Sequence, residues 1–204
     1  QMIVGEYRFE NPDYDQATAL AKAGVGGFVL FGGTVFDNAG LINGLQRQSR
    51  FPLLIASDFE NGAGQQVQGA TILPTNMALG ATRSADLAKK KGRVTGAEAA
   101  VLGVRWVLAP VLDLNTEPAN PVINTRSFGK DPVLAAKLAR AFLDGLHEKG
   151  VIGCGKHFPG HGATAVDSHV ELPTLVSRPD AEIGVYAELG ASLDSVMTAH
   201  LLVP

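Results

Sequence analysis

Residues 153–169 read GCGKHFPGHGATAVDSH. The apolar approach to this stretch, Val151, Ile152 and Cys154, reads as a short buried strand, and Pro159, Gly160 and Gly162 then interrupt regular structure. Lys156, His157, His161, Asp167 and His169 therefore gather where a strand gives way to a loop. An α/β enzyme builds its site at such a place, because the strand holds the loop's polar groups in position.

Upstream, the same alternation recurs. Short apolar runs predict strands at Met2–Gly5, Gly26–Phe31 (GGFVLF), Leu53–Ala56 and Trp106–Ala109, and a further one follows at Ser195–Ala199. Between them, apolar residues at helical spacing predict helices over Asp13–Ala23, Asp37–Ser49 and Ala85–Leu102, the last capped by Ser84. Asp131-Pro132 opens a helix to about Lys149, and Pro179–Leu193 is also read as helical. Asn61 to about Thr82 and Asp113 to Lys130 are read as long loops.

Six strands alternating with helices imply βαβ units and a parallel sheet. An open doubly wound sheet would carry a glycine-rich phosphate turn after its first strand, whereas Gly5 is followed by Glu6-Tyr7-Arg8-Phe9. Polar residues instead recur at strand ends, namely Glu6, Asp58, Asp113, Lys156, His157 and His200, as expected of a barrel that converges those ends on one face. The expectation is an α/β (β/α)8 TIM-barrel fold of which about six units are present. Residues 1–204 would form one incomplete barrel domain, truncated at the C-terminal side and at the N-terminus, where the first residue is Gln1.

Composition narrows the function. A content of 46% hydrophobic and 18% charged residues fits a globular chain, and the net charge of -3 without a basic block excludes a nucleic-acid scaffold. Lys89-Lys90-Lys91 is read as a solvated helix face. No apolar run approaches the roughly 18 residues of a membrane span. Cys154 is the single cysteine, so no disulfide framework selects a compartment, and cytoplasm and cell envelope both stay open.

In an extended segment, residues i and i+2 point the same way, which lets Asp167 face His169. A carboxylate beside an imidazole fixes its tautomer and favours its protonated form, giving a general acid or base usable near neutral pH. The plainer reading is a surface Asp-x-His. Lys156 and His157 can donate to substrate hydroxyls; alternatively Lys156 is a structural lysine paired with Asp58 or Asp113. Asp58 can accept sugar hydroxyls or cap its loop. Arg126 can act as a fork donor or close a loop-shaping salt bridge. His157 and His161 are four apart, but Pro159 and Gly160 forbid the helix that a metal pair at that spacing needs, so a metal site with Asp167 ranks below a loop-packing role for His161.

KHFPGHG followed by DSH, with PANPVINTRSFGKDP upstream, resembles the N-terminal barrel of glycoside hydrolase family 3, in its β-N-acetylhexosaminidase branch. The resemblance runs through the whole chain. It implies Asp167 and His169 as the acid/base dyad, and Asp58, Arg126, Lys156 and His157 as substrate-binding residues. It implies a nucleophilic Asp at the end of a seventh strand, beyond residue 204, so that the chain by itself is expected not to turn substrate over. The implied substrate carries terminal β-linked N-acetylglucosamine, as in peptidoglycan or chitin-type fragments; no metal or organic cofactor, nucleic acid or membrane is implied. Where the family often reads E-G-G with an Arg shortly downstream, this chain reads Glu60-Asn61-Gly62-Ala63-Gly64-Gln65. The competing functions are a non-catalytic sugar-binding barrel, a β-glucosidase or phosphorylase of the same family, and a metal-dependent hydrolase. The loop Gly160 to His169 is expected to be mobile without ligand and to close over substrate.

Overall fold

The computed structural model describes residues 1–165 and 172–203. Among them, six strands and six α-helices run in the order β1 (Val4–Arg8), α1 (Tyr14–Ala23), β2 (Gly27–Phe31), α2 (Val35–Gln48), β3 (Leu54–Ser57), α3 (Asn76–Thr82), α4 (Ala85–Leu102), β4 (Trp106–Val107), α5 (Pro132–His147), β5 (Ile152–Phe158), α6 (Asp180–Leu189) and β6 (Ser195–Thr198). Every neighbouring strand pair is parallel, and the spatial order is β1-β2-β3-β4-β5-β6. A doubly wound sheet reverses its strand order at a switch point. This sheet never reverses, so it is the consecutive winding of a (β/α)8 barrel carried through six units.

Local chemistry sets the helix ends. Asp13 Oδ1 accepts from the Gln16 amide at 2.8 Å, Ser84 caps α4 through the Leu87 amide, and Asp131 caps α5 with Pro132 in its first turn. Thr34 and Asp37 form a reciprocal capping box, which starts α2 at Val35, two residues ahead of the sequence expectation. Gly24 ends α1 in the left-handed region at φ 89°, where a side chain would be strained.

Phe28, Leu30, Ile55 and Val107 from the strands meet Leu45, Phe142, Leu143 and Leu146 from the helices in the main core. Helices α4 and α5 touch backbone to backbone. A Cβ at Gly92 would lie 2.0 Å from the Phe142 carbonyl oxygen, and one at Gly145 would lie 2.3 Å from that of Lys89. Only glycine admits that approach.

Four expectations are corrected. Strand β1 begins at Val4, because Met2 and Ile3 are exposed and Tyr7 carries the inward face. Glu6 therefore sits within the strand and is exposed, paired with Arg8, and does not reach the cleft. The segment read as a loop to Thr82 contains α3, capped by Thr75. Lys91 is not solvated: it is 4% exposed.

Candidate active site

Strand β3 ends directly before Asp58, β5 carries Lys156 and His157 near its end, and β6 runs into Ala199 and His200. The loop after β4 brings Arg126 over these ends on a short 3-10 turn, Asn124–Arg126. The side chains converge on a cleft of about 440 Å3 lined by Asp58, Glu60, Arg126, Lys156, His157 and His200, with Gln65 and Gln66 at its rim. That volume suits one sugar unit. Four of the six residues assigned to the site by sequence thus share one face; Asp167 and His169 lie outside the described residues.

Adjacent side chains on a regular strand point to opposite faces, yet Lys156 and His157 both line the cleft. The β5–β6 register shifts between Lys156 and Phe158, and the Lys156–His157 peptide is cis. The regular alternation breaks at His157, and both side chains reach the cleft.

Buried charges organise the floor. Lys156 is buried, and its Nζ donates to Asp58 Oδ1 and to Glu60 Oε1, the latter at 2.7 Å. Arg126 donates to the same Glu60 as a fork, Nε to Oε2 at 2.9 Å and Nη2 to Oε1 at 2.8 Å. Burial pushes the Glu60 carboxyl up, but the guanidinium and ammonium groups more than offset it and hold the group at about 2. Glu60 is therefore a permanent anion that fixes two cations in place. Of the two partners that sequence reasoning allowed Lys156, the structure selects Asp58.

Asp113 holds His157 instead. Its Oδ2 accepts from His157 Nδ1 at 2.7 Å, and its two oxygens also accept from the His157 amide and from the His161 amide, the latter at 2.6 Å. With the proton on Nδ1, His157 Nε2 is left facing Arg126 Nη2 at 3.5 Å and the cleft. His161 packs in the loop: Asn120 Nδ2 donates to its carbonyl at 2.8 Å, and Thr164 Oγ1 lies 2.7 Å from its Nδ1. These bonds describe the first part of the loop Gly160 to His169; residues 166–169 lie outside the described residues. Among the described residues, no three His, Cys, Asp or Glu side chains converge as a metal ion needs.

Sequence reasoning missed Glu60 as a site residue, and it placed Asp113 at a strand end without assigning it to His157. A signal for Glu60 existed: it stands two positions after Asp58, so both side chains can project to one side of an extended segment. Asp113 was legible as a strand-end carboxylate, but its partners were not, because they lie 44 and 48 positions downstream.

Comparisons with known proteins agree with the fold. The chain is 37% identical over 185 residues to a β-N-acetylglucosaminidase/β-glucosidase of Cellulomonas fimi, covering 88% of this chain and 33% of that protein. It is 36% identical over 202 residues to a β-hexosaminidase of Tolumonas auensis, covering 93% of this chain and 60% of that one. The solved structure of a family 3 β-N-acetylglucosaminidase from Paenibacillus sp. superposes with a TM-score of 0.89 at 34% identity, over 100% of this chain and 41% of that one. The chain thus spans between a third and three fifths of these relatives' lengths. The model of the glycosyl hydrolase family 3 N-terminal domain matches residues 1–204, and the chain belongs to that family.

Proposed function

We propose that the protein is a retaining β-N-acetylhexosaminidase that releases terminal β-linked N-acetylglucosamine. The observation that carries this reading is the set of polar groups, Asp58, Arg126, Lys156 and His157, brought together by three different parts of the chain on one sugar-sized cleft. A Lys and an Arg immobilised by buried carboxylates are donors that need no reorganisation when hydroxyls arrive. Asp58, more exposed than Glu60, is the acceptor that faces the sugar.

His169, oriented by Asp167, protonates the oxygen of the leaving group as a carboxylate attacks the anomeric carbon. Water then cleaves the glycosyl-enzyme and gives its proton to His169. The cleft carboxylates of the described residues are committed elsewhere: Asp58 to Lys156, Glu60 to Arg126 and Lys156, Asp113 to His157. We place the nucleophile on an Asp at the end of a seventh strand. In the full-length protein, His169→Gln is expected to slow cleavage of poor leaving groups far more than that of an activated aryl leaving group, which hardly needs protonation. Equal losses on both substrates would refute the acid role.

A further inference from the structure

Lys91 is a buried cation that the chemistry above does not use. It projects from α4, is 4% exposed, and its Nζ donates to the Pro74 carbonyl at 2.8 Å, to Asn76 Oδ1 at 2.9 Å and to Asn61 Oδ1 at 3.4 Å. An ammonium has three protons, and all three are used. Burying a charge at such a depth is costly unless each proton is bonded.

Its partners lead to the cleft along two routes. Asn76, itself buried, donates through Nδ2 to the Arg126 carbonyl at 2.9 Å. Asn61 directly follows Glu60, the anion that grips the Arg126 guanidinium from the other side. Lys91 thus ties the segment bearing Glu60 to the segment bearing Arg126, 66 positions apart, from a helix that contributes nothing else to the cleft. Glu60 is the titratable group whose field acts on Lys91; the other groups facing the ammonium, from the Asn61 loop, from Pro74 and from α3, are neutral amides and a carbonyl.

We infer that Lys91 is a positioning residue for sugar recognition: its ammonium sets the placement of Arg126 and Glu60 and so governs affinity for the N-acetylglucosamine unit. The inference rests on the reading of this cleft as a sugar site. Burial pulls the Lys91 ammonium down to about 8, although Glu60 draws it the other way. Above that pH the neutral amine has two protons for three acceptors, and the positive charge behind Glu60 is gone.

A consequence separates positioning from mere support of the fold. Because the folded state holds Lys91 below its ordinary value, the unfolded chain binds more protons between about pH 8 and 10.5. The Lys91 contribution to stability therefore rises with pH in that window, while the organised cleft is lost. Affinity and stability move in opposite directions.

The test uses the full-length protein, with N-acetylglucosamine as the probe in calorimetry and an aryl N-acetyl-β-glucosaminide as substrate. Lys91→Met is expected to weaken N-acetylglucosamine binding roughly tenfold at neutral pH, in KM more than in kcat. It should also remove the alkaline fall of affinity near pH 8 that the unaltered protein shows. Asn76→Ala should weaken binding similarly, and the double variant no further, because both break one chain of contacts. The melting temperature of the unaltered protein relative to Lys91→Met should rise between pH 8 and 10. Arg126→Ala is the control for the sugar site itself. If Arg126→Ala leaves affinity intact, the sugar-site reading fails. If Arg126→Ala abolishes binding while Lys91→Met keeps full affinity, or keeps the alkaline fall, the Lys91 inference fails alone. Should Lys91→Met fold poorly, Asn76→Ala carries the decision: unchanged affinity and an unchanged alkaline limb in that variant overturn the inference.

Discussion

Glu60 in the cleft and Glu148 on the outer surface each hold two cations. Glu60 takes Arg126 and Lys156; Glu148 takes Arg93 at 2.7 Å and Lys89 at 2.9 Å. Both carboxyls are held at about 2. The Glu60 side chain is 4% exposed and the Glu148 side chain 37%. At Glu60, burial opposes the charge and pairing overcomes it; at Glu148, hydrogen bonds from Arg93 and Lys89 act against little burial. Equal shifts therefore carry unequal weight. If a Glu148 partner is removed, water replaces it and salt screens what remains. If a Glu60 partner is removed, a charge stays buried and unpaired. The surface cluster trims the seam between α4 and α5, whereas the cleft cluster holds β3, the β4 loop and β5 in one geometry.

The largest expected effect is that of Glu60→Gln. It leaves Arg126 and Lys156 short of a counter-ion and should destabilise the protein by about 3 kcal/mol in urea titration. It should also abolish measurable N-acetylglucosamine binding. Retained stability would mean that water reaches this floor and that the contrast with Glu148 is false.

Acid titration sharpens the same contrast. The Glu60 carboxyl is lower in the folded state than its ordinary 4.5, so its contribution is fully present above about 4.5 and is lost as pH falls through about 2. Over that window the unaltered protein should lose up to about 3 kcal/mol more stability than Glu60→Gln. Parallel curves for the two proteins would contradict the buried pairing.

Asp113→Asn comes next. It keeps the shape of the side chain but weakens the acceptor for His157 Nδ1 and for the His157 and His161 amides. A loss of about 1–2 kcal/mol is expected, with weaker sugar binding as the His157 ring loses its fixed orientation. Glu148→Gln closes the series: its urea midpoint and its N-acetylglucosamine affinity should match those of the unaltered protein, and a large loss in either would show that the outer cluster is coupled to the cleft.

Much of the architecture is written in local signals. Ser84 and the Asp131-Pro132 step mark helix starts through bonds to residues two or three positions away, and GFVLF in β2 is apolar throughout because helices cover a parallel sheet. The family resemblance carried by KHFPGHG and the upstream NTRSFG implied a substrate-binding set, and its members Asp58, Arg126, Lys156 and His157 do share one cleft. Tertiary structure decided what these groups are paired with. The run Lys89-Lys90-Lys91 is uniform in sequence, yet only its last member turns under α3 to meet Pro74 and Asn76. Glu60 becomes the central anion because Arg126 and Lys156 arrive from far along the chain, and Lys156 goes to Asp58 while Asp113 goes to His157. The physical reason is range. Caps and strand periodicity are settled by neighbours within a few residues, whereas the pairing of a buried charge depends on which distant segments the folded sheet brings within about 3 Å of it.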